Sequence, residues 1–299
     1  MRFRFPILAT LVSAGLILAV GESMDDSLQS LKDAVAKKDT AQIKTFALQT
    51  YDQASKITAG PAPETEIDKE KVTEAKEAQD YVEYALYNST LEAENAAKID
   101  LFETLHQVNP KSKYLEDGYT YYFLALTSAG ESAKIPAIAE KALKDLPSSP
   151  ALLETMMNLT AQKNQTAASA AYAQRLIVAL GKRSKSEIMS EPEWQKRRSA
   201  MLGLAHMISG VSLVAADKNY RADQELRAAL PLVTEDAQRA TVLFNLAMAN
   251  YRLGSVGLSK AQVLEAAKFS QQCAAIQSPF QGQCAHNVAA MKNYAATMR

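Results

Sequence analysis

The sequence predicts an all-α fold assembled from consecutive helix pairs. Alanine is abundant, and the 11 glycines and 10 prolines stand mostly between segments whose apolar residues recur at three- and four-residue steps. Valine and isoleucine do not gather in alternating runs, which argues against strands. Helix terminators recur at Pro110, Pro147, Gly181, Pro231 and Pro279, with steps of 37, 34, 50 and 48 residues. Such a period indicates a repeat array in which each pair buries its apolar face on its neighbours.

The N-terminal segment has the pattern of an export signal. Arg2 and Arg4 precede a charge-free run at residues 6–20, and Ala19 and Gly21 place small residues two apart. We therefore assign residues 1–21 to a signal peptide that is cleaved after Gly21. An uncleaved membrane anchor is the alternative, although the run is shorter than the ~20 residues that a spanning helix usually needs.

No other stretch is long and apolar enough by inspection to span a bilayer. After signal cleavage we therefore expect a soluble protein without membrane contact. Its expected location is extracytoplasmic, in the periplasm of a bacterium.

The mature chain begins with a predicted helical hairpin, residues 22–58. Apolar residues recur at helical steps over 24–37 and 40–57, and Asp39 between the two helices supplies a capping side chain. Residues 59–67 follow with two prolines and a glycine, which predicts a linker.

Residues 68–279 form the predicted repeat array of about five helix pairs. Polar residues or glycine mark the turns within pairs, near Asn88-Ser89, Gly130 and residues 163–165. A final helix in 280–299 has no partner after it and is predicted to cap the array. The pairs cover about 68–109, 112–146, 148–181, 191–230 and 235–276.

The unit at 112–147 resembles the tetratricopeptide repeat. That pattern has large residues and a glycine in its first helix, small residues in its second and a terminal proline. Phe123 departs from it, because a small residue is usual there. The matching residues are Tyr119, Tyr122, Gly130, Ala139, Ala142 and Pro147.

Two later units are similar to the same repeat in register. The fourth has Leu202-Gly203, His206 and Gly210; the fifth has Leu246-Ala247, Asn250, Gly254, Ala267, Ala274 and Pro279. Small residues at these positions let paired helices approach closely. The resemblance implies an α-solenoid with a right-handed superhelix; an irregular helical bundle is the alternative.

Tetratricopeptide proteins hold a protein or peptide partner on a concave face that is lined by their first helices. Mapping these helices by their 3.6-residue period predicts apolar and aromatic anchors, adaptable methionines, and arginines suited to acidic groups. The predicted partner-binding residues are Tyr121 with Leu124, Arg197, Met201, Asn245, Met248, Tyr251 and Arg252.

The chain has two cysteines, Cys273 and Cys284, on either side of Pro279. If a turn is centred on that proline, two antiparallel helices place the cysteines opposite each other. We therefore predict a disulfide that joins the last helix pair to the capping helix; two free buried thiols are the alternative.

Motifs for catalysis or cofactor binding are not found in the sequence. The three histidines, His106, His206 and His286, form no metal-binding pair, and no GxSxG, GxGxxG or P-loop pattern occurs. Lys196-Arg197-Arg198 is predicted to be a solvated face and Trp194 a packing residue.

The net charge is zero, because 33 basic residues balance 33 acidic ones, so nothing favours nucleic acid. We expect a scaffold or adaptor that is not an enzyme and needs no cofactor or metal. The alternatives are a structural subunit of an envelope assembly that uses its convex or end faces, and an envelope enzyme with an unrecognised site.

Overall fold

The structure is a computed structural model that describes residues 23–183 and 189–298. Within those residues it contains thirteen α-helices and a short 3₁₀ helix, with no strand, so the all-α prediction is confirmed. The predicted signal peptide, residues 1–21, lies outside the described residues. The helices are α1 (Met24–Lys37), α2 (Thr40–Thr58), α3 (Glu66–Glu92), α4 (Asn95–Val108), α5 (Leu115–Ser128), the 3₁₀ helix Ser132–Lys134, α6 (Ile135–Asp145), α7 (Pro150–Gln162), α8 (Thr166–Lys182), α9 (Glu191–Ala215), α10 (Asn219–Ala229), α11 (Asp236–Val256), α12 (Lys260–Ala274) and α13 (Gln281–Thr297).

The chain divides into two compact units, Met1–Ser89 and Thr90–Arg299. In the first unit, α1 and α2 form the expected hairpin, and Ser23 opens α1 with a reciprocal capping box to Asp26. Asp39 caps α2 by accepting a hydrogen bond from the backbone N–H of Gln42. Small residues then join α2 to α3, where Ala54 packs with Ala75 and Ala78.

Helix α3 differs from the sequence expectation of a turn near Asn88-Ser89. It continues through both residues and ends at Glu92, and the boundary between the two units falls inside it rather than at residues 59–67. Polar residues alone do not stop a helix when neither must adopt a left-handed backbone and no glycine or proline is nearby. Thr90, in the last turn of α3, is fully buried, so the helix remains packed beyond the expected turn.

In the second unit, consecutive helices pack in a regular order. The first helices of successive pairs contact each other, α5 with α7, α7 with α9, α9 with α11 and α11 with α13. Each of the second helices α8, α10 and α12 packs between the two first helices that flank it in sequence. Neighbouring pairs therefore share their buried faces, as the sequence period predicts.

Small residues set the distance between packed helices at three positions. A Cβ on Gly210 would meet Leu226 at 2.5 Å, and one on Gly254 would meet the backbone nitrogen of Val263 at 2.9 Å. A Cβ on Gly203 would lie 3.0 Å from that of Leu232. Any side chain would push these segments apart, so the glycines allow the packing that the resemblance implies.

A disulfide joins the last two helices. Cys273 in α12 and Cys284 in α13 are bonded, their Cα atoms lie 5.8 Å apart, and neither residue is exposed to solvent. The bond closes a short loop around Pro279 and ties α13 to the preceding pair.

Helix α9 is long and apolar enough to cross a membrane by length and composition alone. This differs from the expectation that the N-terminal run is the single such segment. In the structure α9 packs against α7, α8, α10 and α11, and 33% of its most apolar window is buried. Length and composition are weak grounds for a membrane span, because core helices of folded domains share them.

Candidate functional site

Two residues predicted to bind a partner are instead buried. Met201 in α9 has an exposed fraction of 2%, and Asn245 in α11 has 9% and donates a hydrogen bond to the carbonyl of Thr241. The prediction for this pair is therefore corrected. Helical periodicity identifies a face of one helix, but α9 and α11 pack on first helices before and after them, which cover that face.

Three further predicted residues, all on α11, contact other helices of the fold. Tyr251 contacts Tyr294 of α13 edge to face, with ring centroids 5.7 Å apart, and Met248 packs against the same core. Arg252 donates a hydrogen bond to the carbonyl of Val214 at 2.8 Å and lies 3.5 Å from Asp217. These side chains join neighbouring helices, and that of Arg252 is 39% exposed.

The remaining predicted residues are Tyr121 and Leu124, which are exposed on α5, and Arg197, which is half-buried on α9. Tyr121 in α5 is 38% exposed, and Leu124, one turn later, is 64% exposed. Arg197 in α9 donates a hydrogen bond from Nη2 to Thr120 Oγ1 at 2.7 Å, and so joins α9 to α5. Burial raises the pKa of Glu154 on α7, and the positive charge of Arg197 opposes that effect.

A cleft of about 530 Å³, which we call the α8 cleft, lies beside α8. One stripe of α8 forms its wall, with Arg175, Val178 and Lys182 spaced at three and four residues, and Glu116 at the start of α5 lies opposite. Among the described residues, the lining is Glu116, Pro147, Ser148, Gln174, Arg175, Val178, Ala179, Lys182 and Arg183.

Arg183 is the structural cation of the α8 cleft. Its guanidinium forms ion pairs with Glu116 and Asp117 of α5, and it lies over the ring of Trp194 at 5.7 Å from the centroid. Burial raises the pKa of Glu116, and the adjacent Arg183 counteracts this shift. The side chain thus joins the C-terminal end of α8 to α5 and α9. Trp194 is 4% exposed, which fits the predicted packing role.

Arg175 and Lys182 are the other two cations of the α8 cleft, and the guanidinium of Arg175 lies over the Tyr172 ring, 5.6 Å from its centroid. Arg175 donates a hydrogen bond to the carbonyl of Pro147 at 2.9 Å, and neither side chain has a carboxylate partner among the described residues. Seven residues separate them, which is about 10 Å along a helix at 1.5 Å per residue. Val178, 54% exposed, lies between them. The cleft therefore presents two positive charges on either side of an apolar patch.

A polar network behind the cleft holds α8, α9 and α10 together. Gln174, which lines the cleft, donates hydrogen bonds to Ser209 and to Glu225, and His206 Nδ1 lies 2.6 Å from Glu225 Oε2. The hydrogen bond with His206 lowers the pKa of Glu225. His206 thus has a structural partner on α10.

A smaller cavity of about 180 Å³ lies among α4, α5 and α6 and is lined by aromatic rings. Phe102 stacks on Tyr122 with centroids 4.6 Å apart, and Tyr122 donates a hydrogen bond to Glu103. His106 lines this cavity, and burial lowers its pKa. Across the described parts of the chain, no group of three or more His, Cys, Asp or Glu side chains could hold a metal ion.

Comparison of the chain with protein-family models, with curated proteins and with solved structures gives no match. The functional argument therefore uses the chemistry of the α8 cleft and of the surfaces around it.

Proposed function

We propose that this protein is an extracytoplasmic α-solenoid of tetratricopeptide-like helix pairs, and that it acts as a scaffold or adaptor rather than as an enzyme. Its α8 cleft holds an acidic segment of a partner protein. The observation that carries the proposal is a pair of cations, Arg175 and Lys182, that form no ion pair within the described residues and lie on one open stripe of α8.

The packing of the second unit supports the solenoid assignment. First helices contact first helices along the unit, and glycines lie where the repeat requires close approach between α9 and α10 and between α11 and α12. Repeat arrays commonly function through extended binding surfaces, because each pair adds surface without enclosing an active site. A binding function suits this architecture.

The disulfide supports an extracytoplasmic location. Disulfides persist in oxidising compartments and are rare in the cytosol of mesophiles. The Cys273–Cys284 bond thus agrees with the signal peptide that the sequence predicts at residues 1–21.

The spacing of the cations defines the partner segment. An extended chain advances about 3.3 Å per residue, so two carboxylates three positions apart span about 10 Å. That span matches the separation of Arg175 and Lys182 along α8. An apolar side chain between the two carboxylates would contact Val178, which is 54% exposed. This site lies on a second helix of a pair, whereas the sequence resemblance assigns partner binding to first helices.

A site-specific crosslink at Val178 tests the proposal. A photoreactive amino acid replaces Val178 in the exported protein, and a second strain carries the same substitution at Val256, which is 88% exposed on the α11–α12 turn. We expect a defined partner adduct in the envelope fraction from position 178 and a different pattern from position 256. Absence of a position-specific adduct at 178 would refute the α8 cleft as the partner site.

A charge-matched pair of variants tests the chemistry. Arg175→Ala with Lys182→Ala should reduce the crosslink at Val178 at least about tenfold, since two charge-assisted contacts are lost. Arg239→Ala with Lys268→Ala removes the same charge from exposed positions on α11 and α12 and serves as the control. Equal losses in the two double variants would show that net charge, rather than the cleft, controls recovery.

A further inference from the structure

Five turns between consecutive helices, α1–α2, α5–α6, α7–α8, α9–α10 and α11–α12, share one backbone geometry. In each, a residue with positive φ follows the first helix, and the next residue donates its N–H to a carbonyl five positions earlier. Glycine and asparagine favour this conformation, and aspartate tolerates it. The positive-φ residues of the five turns are Lys38, Gly130, Asn164, Asp217 and Leu258.

Lys38 and Leu258 are the two members of this set that are neither glycine, asparagine nor aspartate, and Leu258 is the apolar one. Its φ is 50°, a conformation that bulky residues rarely adopt, and its side chain is 76% exposed. The position therefore carries both an unfavourable backbone and an exposed apolar side chain. Val256, two residues earlier, is 88% exposed, so the α11–α12 turn presents two aliphatic side chains to solvent. Neither side chain contributes to the core.

Two lysines and a tyrosine lie on the same turn or on the neighbouring α9–α10 junction. Lys260 follows in the first turn of α12, and Lys218 and Tyr220 project from the neighbouring α9–α10 turn, where Tyr220 is 67% exposed. The two turns adjoin, because Arg252, one helical turn before Val256, lies 3.5 Å from Asp217. That contact offsets the charge of the one acidic residue in the two turns, so the lysines give this edge a positive charge.

We propose that the α11–α12 turn, through Val256 and Leu258, docks onto the surface of an anionic phospholipid bilayer. Both aliphatic side chains are largely exposed, so they suit a deformable partner that closes around them. Aliphatic tips reach the acyl boundary, a tyrosine remains at the level of the headgroups, and lysines contact anionic headgroups. This surface is separate from the α8 cleft and does not depend on the proposed partner segment.

A tryptophan probe at the turn gives the decisive measurement. The native Trp194 is 4% exposed and supplies a constant background. In Leu258→Trp we expect a blue shift and quenching by brominated phospholipid when vesicles rich in phosphatidylglycerol are added, and little change with phosphatidylcholine vesicles. Leu124→Trp, at a position that is 64% exposed, is the matched control and should not be quenched. No quenching at position 258, or equal quenching at both positions, would overturn the proposal.

A second pair of variants separates docking from folding. Leu258→Asn with Val256→Ser should lower partition into anionic vesicles at least about tenfold, because two aliphatic side chains no longer leave water. Ile67→Ser with Leu124→Ser removes comparable exposed apolar surface and should leave partition unchanged. Leu258→Asn alone should raise the thermal midpoint, since asparagine favours positive φ. A lower thermal midpoint would mean that Leu258 stabilises the fold. A protein crosslinked at position 258, in the absence of vesicle binding, would assign the turn to a protein partner. Either result would overturn the proposal.

Discussion

Leu226 occupies the space that a side chain on Gly210 would need: a Cβ built on Gly210 would stand 2.5 Å from Leu226 Cγ. Leu226 is fully buried, so it cannot move aside into solvent. Helices α9 and α10 therefore pack at a distance that this glycine sets. Gly254 makes the same kind of contact with Val263, whose backbone nitrogen would lie 2.9 Å from a Cβ on Gly254.

These contacts predict that Gly210→Ala and Gly254→Ala destabilise the protein. Alanine normally stabilises a helix by about 1 kcal/mol relative to glycine, but overpacking costs roughly 1–3 kcal/mol. We expect the larger loss at Gly254, because backbone cannot yield as a side chain can. Chemical denaturation measures both variants. Gly282→Ala in α13 is the control, since a Cβ there meets nothing within 4 Å; equal stability of all three variants would contradict the prediction.

The disulfide predicts a stability loss on reduction. The bond spans 11 residues, and closing so short a loop in the unfolded chain stabilises a fold by roughly 2–3 kcal/mol. Cys273→Ala with Cys284→Ala should lower the free energy of unfolding by about that amount and speed amide exchange in α13. The oxidised wild type and the reduced wild type provide the comparison. A denaturation midpoint that does not respond to reductant would contradict the prediction.

Glu225 predicts an acid-side pH dependence of stability. Its hydrogen bond with His206 holds the pKa of Glu225 below the usual 4.5. A carboxylate with a lowered folded pKa contributes stability above its unfolded pKa, and this is lost as pH falls through the folded value. Glu225→Gln should therefore flatten the acid limb of the curve of unfolding free energy against pH. Glu140→Gln, on the exposed surface of α6, is the control and should leave that limb steeper than Glu225→Gln does.

Glu154 predicts the opposite dependence. Burial raises the pKa of Glu154, with Arg197 opposing. The folded state then holds the proton more tightly, so stability falls as pH rises through the folded pKa. Glu154→Gln should stabilise the protein at neutral pH, and Arg197→Ala should make the neutral-pH penalty of Glu154 larger. Thermal midpoints of the wild type and both variants at about pH 5 and about pH 8 test this prediction. A Glu154→Gln variant that is less stable than the wild type at the higher pH would contradict it.

Most helix bounds could be predicted from the sequence because their stop signals are local. Proline follows α4, α6, α10 and α12 within a few residues. Proline does not continue a helix, because it lacks a backbone N–H and clashes with the preceding turn. Asn88-Ser89 carries no such constraint, and α3 passes through it. Proline restricts the backbone, and the sequence shows where it occurs. A polar pair does not restrict the backbone, so packing of the helix can override its preference for a turn.

The candidate site could be predicted in part. Tyr121 is exposed, as its helical position suggests, whereas Met201 and Asn245 are covered by neighbouring helices that periodicity does not reveal. The α8 cleft arises between α8, residues 147–148 and the start of α5, so distant segments create it. The spacing of Arg175, Val178 and Lys182 was the available signal, since an exposed valine between two cations is unusual for a solvated face.

Because both cysteines are buried, the rate at which the Cys273–Cys284 bond is reduced can report on the opening of the structure around it. A thiol or a reducing enzyme reaches the bond once α13 has come away from α12, because neither cysteine meets solvent in the folded protein. The rate of reduction under native conditions therefore reports how often this terminal helix detaches, independently of global unfolding. In a cell envelope that contains reducing enzymes, this burial would keep the bond intact in folded molecules. In damaged molecules, whose α13 has detached, the bond would be open to reduction.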